Sequence, residues 1–204
     1  DVGLMVAPGT YSVEVLWIKN GIVEQLIEKN AFKVVGLNNQ TLIADNFEAL
    51  IEFRKEIAET KRIVDGAEKL MGEVNEKIEL IEHAIKLYPN ADINLLTEIE
   101  ALKLKLDECS ILLLGDHLKS EHEFETTPSI AGRIRTVYYQ TFSNTTSITQ
   151  TQRDNKMLAE EQYKDFRVLL NDVIVRIKGI EEQLEKSSIP YIKGKDENWK
   201  VNKN

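Results

Sequence analysis

The chain has 204 residues, 42% of them hydrophobic and 29% charged, an ordinary globular composition that can fill one large or two small domains. Its net charge of -8 argues against nucleic acid and against an anionic membrane surface, since both are bound through basic side chains. No apolar run approaches the roughly 20 residues of a membrane span. The opening Asp1-Val2-Gly3 lacks the charged and apolar regions of a signal peptide, and the missing initiator Met is the expectation for a mature or cut chain.

Residues 1–43 read as strand. Ala7-Pro8-Gly9 is a turn signal, with a short strand expected before the hairpin. Tyr11, Val13 and Val15 alternate with Ser12, Glu14 and Leu16, the pattern of a half-buried strand. Asn20-Gly21 is the favoured pair of a type I′ hairpin turn. Residues 22–27 and 31–35 form the return strand, interrupted near Glu28, Lys29 and Asn30. So few strands cannot bury two faces or protect their edges, so further strands upstream or a second chain must complete the sheet.

Residues 44–188 read as an elongated antiparallel helical bundle of three to four helices, making the chain mainly α. Asp45 or Asn46 caps the first helix. Leu50, Ile57, Val64, Met71, Ile78 and Ile85 recur every seven residues, and Phe53, Thr60, Ala67, Val74, Ile81 and Tyr88 follow three positions later, ended by Pro89. A second helix after Asn90-Ala91-Asp92 has the stripe Leu95, Ile99, Leu102, Leu106, Cys109 and Leu113. Residues 115–128 (GDHLKSEHEFETTP) read as a polar loop. Pro128-Ser129 opens a shorter helix with Ile130, Ile134, Val137 and Thr141 on one face, and residues 143–147 turn the chain. The last helix runs from about Thr149 to Lys186, with Tyr163, Leu170, Ile177 and Leu184 in one column and Ala159, Phe166, Val173 and Ile180 in the other. Two long helices beside shorter ones make a rod. Residues 189–204 are a tail whose Tyr191 and Trp199 suit packing back onto the bundle or the strands.

VAPGTYSVEV with its hairpin, a long helical region, PSIAGRIRTVY and a terminal PYIKGKDENW stand in an order that resembles one region of known proteins. It resembles the C-terminal region of the large sortilin-type, BNR-repeat β-propeller proteins of Bacteroidetes, often labelled glycosyl hydrolases. The resemblance implies that the hairpin belongs to an incomplete immunoglobulin-like sandwich. It implies an exported protein, periplasmic or outer-membrane associated, and an upstream propeller. No Asp-box of the S-x-D-x-G-x-T-W type occurs here, so the part to which a hydrolase label refers is not in this sequence. The expected function is a non-catalytic structural or protein-interaction module, whose partners are upstream domains of the same polypeptide or another protein chain. The alternative is the accessory region of a propeller-type glycoside hydrolase.

No catalytic, metal or cofactor site is expected. His117 and His122 are five apart, off the i, i+4 spacing of helical metal ligands, although Asp116, Glu121 and Glu123 flank them. There is no G-x-S-x-G and no glycine-rich phosphate loop. The single cysteine, Cys109, allows no internal disulfide and sits in an apolar register. Paired acids such as Glu24/Glu28 and Glu181/Glu182 read as solvated faces. The N-x-T triplets at Asn39 and Asn144 matter only in a secreted eukaryotic protein. Arg133, Arg135, Tyr138 and Tyr139 form a basic, aromatic patch that could contact a partner, as could Trp199; otherwise the arginines pair with bundle carboxylates.

Overall fold

A computed structural model of the chain describes residues 6–37, 42, 44–88, 91–122, 124–142 and 144–189. Strands β1 (Gly9–Lys19) and β2 (Ile22–Val34) form a two-stranded antiparallel hairpin. Asn20 and Gly21 both take positive φ, 52° and 78°, which is the type I′ turn whose twist suits a hairpin. Tyr11 stands opposite Phe32, Val15 opposite Ile27 and Lys19 opposite Ile22. The return strand is one element, not two, and its expected interruption is a pair of register shifts. Between Val13 and Val15, and again between Val15 and Leu16, β2 carries an extra residue. Each is a bulge that leaves a residue unpaired and bends the strand. Residues 6–8 are not strand, so the expected short strand before the hairpin is absent there.

Helix α1 (Phe47–Leu87) starts where the Asn46 side chain accepts the Ala49 N–H at 3.0 Å. It stops with Tyr88 in extended conformation, as expected of a residue that precedes proline. Helix α2 (Asn94–Leu114) ends at Gly115, whose φ of 102° few other residues tolerate. The stretch read as loop contains a one-turn helix, α3 (His117–Glu121), nucleated by the Asp116 side chain on the Lys119 N–H at 3.0 Å. Helix α4 (Ile130–Phe142) follows Ser129, which accepts from Gly132 N–H at 3.1 Å. Helix α5 (Gln150–Lys186) opens with a reciprocal capping box between Thr149 and Gln152.

The helices form three limbs. One is α1, one is α5, and the third is α2 and α4 in tandem. Both α1 and α5 pack on α2 and on α4, while α1 and α5 touch each other less. Cross-limb ion pairs give the directions. Lys156 meets Glu56 at 3.2 Å and Lys77 meets Glu181 at 2.9 Å, so α1 and α5 run the same way. Lys103 meets Glu82 at 2.8 Å, and the tandem limb runs opposite. With 41 residues in α1, the rod is about 60 Å long.

The expected stripes form the core. All six positions of the α2 stripe are buried, as are Ile130, Ile134, Val137 and Thr141 of α4. In α1 the column from Leu50 to Ile85 is buried throughout; Thr60 and Tyr88 of the other column are not. Each such Ile or Leu contributes about 1.5–3 kcal/mol of burial.

Helix α5 ends in a chain reversal. The Ile189 N–H donates to Leu184 O at 2.9 Å and the Ser188 N–H to Glu185 O at 3.0 Å, with Ser188 at φ 54°. This pair of bonds is the Schellman motif, with serine in the left-handed position that glycine normally holds. Ile189 is thereby buried among the core residues with Leu184, one position past the expected end of the bundle. The expected packing of Tyr191 and Trp199 lies outside the described residues.

Candidate interaction surface

The sequence pattern predicts a half-buried hairpin, and the structure corrects it. Every residue of β1 and β2 except Gly9, Tyr11 and Val34 is exposed. Neither strand makes an extensive contact with a helix. Alternation places Tyr11, Val13, Val15 and Trp17 on one face of β1, and pairing adds Ile22, Ile27 and Phe32 from β2, with Asn30 opposite Val13 and Glu24 opposite Trp17. Tyr11 and Phe32 rings lie 6.1 Å apart across the ladder. The Lys19 ammonium sits 5.4 Å from the Trp17 ring on the same face. The opposite face is mixed, with Thr10, Ser12, Glu14 and Lys33 beside Leu16, Ile18 and Val23. The first face is therefore largely apolar and aromatic, interrupted by Asn30 and Glu24, and the chain's described helices leave it uncovered, a feature that marks an interaction site.

The two edges differ. Both bulges lie on β2, where Glu24, Glu28, Lys29 and Lys33 cluster. Bulges and charge are what natural sheets use to blunt an edge. The β1 edge has no extra residue and carries charge only at Glu14 and Lys19, so it is the edge suited to pair with another strand.

Just before α1, residues 44 and 45 are tied to the turn between α4 and α5. Ala44 N–H donates to Thr145 O at 2.8 Å and Asp45 N–H to Ser147 Oγ at 3.2 Å. Arg54 is buried beside this joint, its guanidinium donating to Asn144 O, and desolvation lowers its pKa. The sequence reading missed both Arg54 and the buried Gln152. Arg54 adjoins Phe53 on the core stripe, and Gln152 sits three residues after a capping threonine; those were the available signals.

The patch expected on α4 is spread over three surfaces. Arg135 turns to α1 and pairs with Glu68 at 2.6 Å and Asp65 at 3.5 Å, while Arg133 turns to α5 and donates to Asn155 Oδ1 at 2.8 Å. Tyr138 packs beside Phe53, Ile57 and Val137, with its ring 5.6 Å from Tyr139 and from Phe142. Tyr139 is the member left exposed to solvent. Trp199 lies outside the described residues.

Chemistry elsewhere is sparse. Among the described residues no group of three or more His, Cys, Asp and Glu side chains is placed to hold a metal. Asp116 instead caps α3 and pairs with Lys119 at 3.1 Å, which holds its carboxyl below the usual range. Cys109 is fully buried, and burial pushes its thiol pKa up, away from the reactive thiolate. A hollow of about 260 Å³ at the start of α4 is walled by Ile111, Leu112, Pro128 and Gln162, with the Asp116–Lys119 pair at its rim. No described helix is long and apolar enough to cross a membrane. Comparison with models of protein families, with curated proteins and with solved structures finds no match to the chain.

Proposed function

We propose that the chain is a non-catalytic protein-interaction module. The hairpin supplies two strands to an immunoglobulin-like sandwich whose other strands come from preceding domains of the same polypeptide or from another chain, with the incoming strand pairing along β1. The helical rod is a spacer or docking arm. On the resemblance to the C-terminal region of sortilin-type propeller proteins, the whole would work in an exported, periplasmic or outer-membrane-facing protein. One observation carries this reading: Tyr11, Val13, Val15, Trp17, Ile27 and Phe32 share a face that nothing in the bundle covers. An isolated two-stranded hairpin is marginal in water, so its stability requires a cover.

The test is sedimentation of the chain beside the double variant Val15→Asp, Trp17→Lys. The chain is expected to self-associate through the bare face, and the variant to be monomeric with an unchanged helical melt. A chain that is monomeric in both forms and has slowly exchanging hairpin amides would refute the reading, because that hairpin would need no partner.

A further inference from the structure

The hairpin turn decides which backbone groups of β1 are left over. Lys19 and Ile22 flank the two-residue Asn20-Gly21 turn, so they exchange both of their N–H···O bonds. Alternation then aims the N–H and C=O of the odd-numbered β1 residues at β2. Those of Thr10, Ser12, Glu14, Leu16 and Ile18 point the other way, to an edge on which no described strand lies. That edge is unbulged, since both extra residues belong to β2.

We infer that this edge is a seam between two copies of the chain, β1 pairing antiparallel with β1 about a two-fold axis at Val15. The inference rests on the reading above and names the other chain in it. A two-fold axis normal to the sheet keeps the apolar faces of the two copies on the same side. Charge and side-chain pairing select the register. Full overlap of the two strands, Gly9 to Lys19, is centred on Glu14 and sets that carboxylate opposite its own copy, a repulsive pair. A shift of two residues centres the seam on Val15. Glu14 then faces Leu16, Val13 faces Trp17, and Lys19 faces Tyr11, which gives a β-branched–aromatic pair and a cation beside a ring. The opposite shift, centred on Val13, sets Trp17 against Gly9 and leaves Lys19 without a counterpart. The resulting sheet has four strands in the order β2-β1-β1-β2, with the bulged, charged β2 strands outermost, and it passes the three strands a sheet needs to stand alone. Gly9, which pairs with Val34, is six residues from the axis, so the two strand ends that lead to the rods lie about 40 Å apart and the rods do not collide.

Cysteine pairing reads the seam directly. The odd-numbered residues of β1 meet across it as non-hydrogen-bonded pairs, with Cα atoms about 4.5 Å apart, inside the disulfide range. In the full chain with oxidised glutathione, Val15→Cys should give a covalent dimer, and Val13→Cys, opposite Trp17, several-fold less. The native Cys109 is fully buried and stays out of the reaction. Leu16→Pro removes an N–H that points into the seam and none that bonds β2, so it should turn the sedimenting dimer into monomer while the Trp17 and Lys19 amides stay protected. Should it disrupt the hairpin instead, the cysteine pair decides alone. Val13→Cys cross-linking as readily as Val15→Cys would overturn the seam, and so would a dimer indifferent to Leu16→Pro; either leaves the bare face of the reading above to other contacts. A monomeric chain would also overturn it. Fast exchange of the hairpin amides in that monomer would spare the reading above, and slow exchange would sink both.

Discussion

In the bundle, Ile57, Ile78, Ile81, Ile99 and Phe166 expose at most 0% of their surface; in the hairpin Ile22 exposes 73% and Trp17 48%. Both regions are patterned by period, the helices at seven residues and the strands at two. The helical pattern is answered within the chain, because three limbs can close around one axis. Among the described residues the strand pattern is not answered, because the two strands have one largely apolar face and no described element opposite it. A periodic apolar face states that something covers it; only the rest of the fold states what.

The contrast can be broken most forcefully from the core side. Phe166→Ala should cost about 3–5 kcal/mol in urea unfolding followed by circular dichroism, because it empties a site on the α5 stripe. Val13→Ala should cost under about 0.5 kcal/mol in the same assay, since its side chain is more than half exposed. Equal losses would mean that the hairpin is packed in solution. Next in size is Ser188→Gly, expected to stabilise by about 1 kcal/mol by relieving the left-handed serine, and seen as a raised urea midpoint at constant m. Arg135→Ala should cost about 1 kcal/mol or less, shrinking further in salt, because the pairs with Glu68 and Asp65 are partly exposed.

The smallest effect is one of pH. Hydrogen bonds from Lys103 and Lys86 lower the pKa of Glu82 from its ordinary 4.5. A carboxylate depressed in the folded state adds stability above its unfolded pKa, and that stability fades as pH falls through the folded value. Acid titration of the melting temperature should therefore be shallower in Lys103→Met than in the parent below about pH 4.5. The hairpin offers no counterpart, and its deletion should leave this acid limb unchanged.

The helical stripes were legible because burial repeats: Leu50 through Ile85, Leu95 through Leu113 and Ala159 through Leu184 were readable position by position. The cap of α1 was legible as Asp45 or Asn46, of which Asn46 holds the position, and α5 was read to start at about Thr149 without its capping role. Arg54 was not, since a guanidinium enters a core only where a backbone carbonyl, here that of Asn144, is brought to meet it by tertiary structure. Helix α3 was not, since one turn has no period to read; its signal was only Asp116 three residues before Lys119. For the hairpin surface, the faces and turn were readable and the exposure was not, because alternation is the same whether a partner is present or awaited. The dispersal of Arg133 and Arg135 follows from helical geometry, which turns residues two apart by about 200°.

Three limbs are an odd number of passes, and this decides where load would travel. The strand segment joins the rod at Ala44, beside the start of α1, whereas the chain leaves at Ile189, beside the ends of α1 and α5. An even-limbed bundle returns its exit to its entry and can be unzipped from one end. Here the two attachment points lie at opposite poles, about 60 Å apart by the length of α1. Tension between whatever grips the hairpin and whatever holds the far pole runs along the helix axes. The apolar columns must then slip past one another together instead of parting one pair at a time, the geometry of a strut between two fixtures.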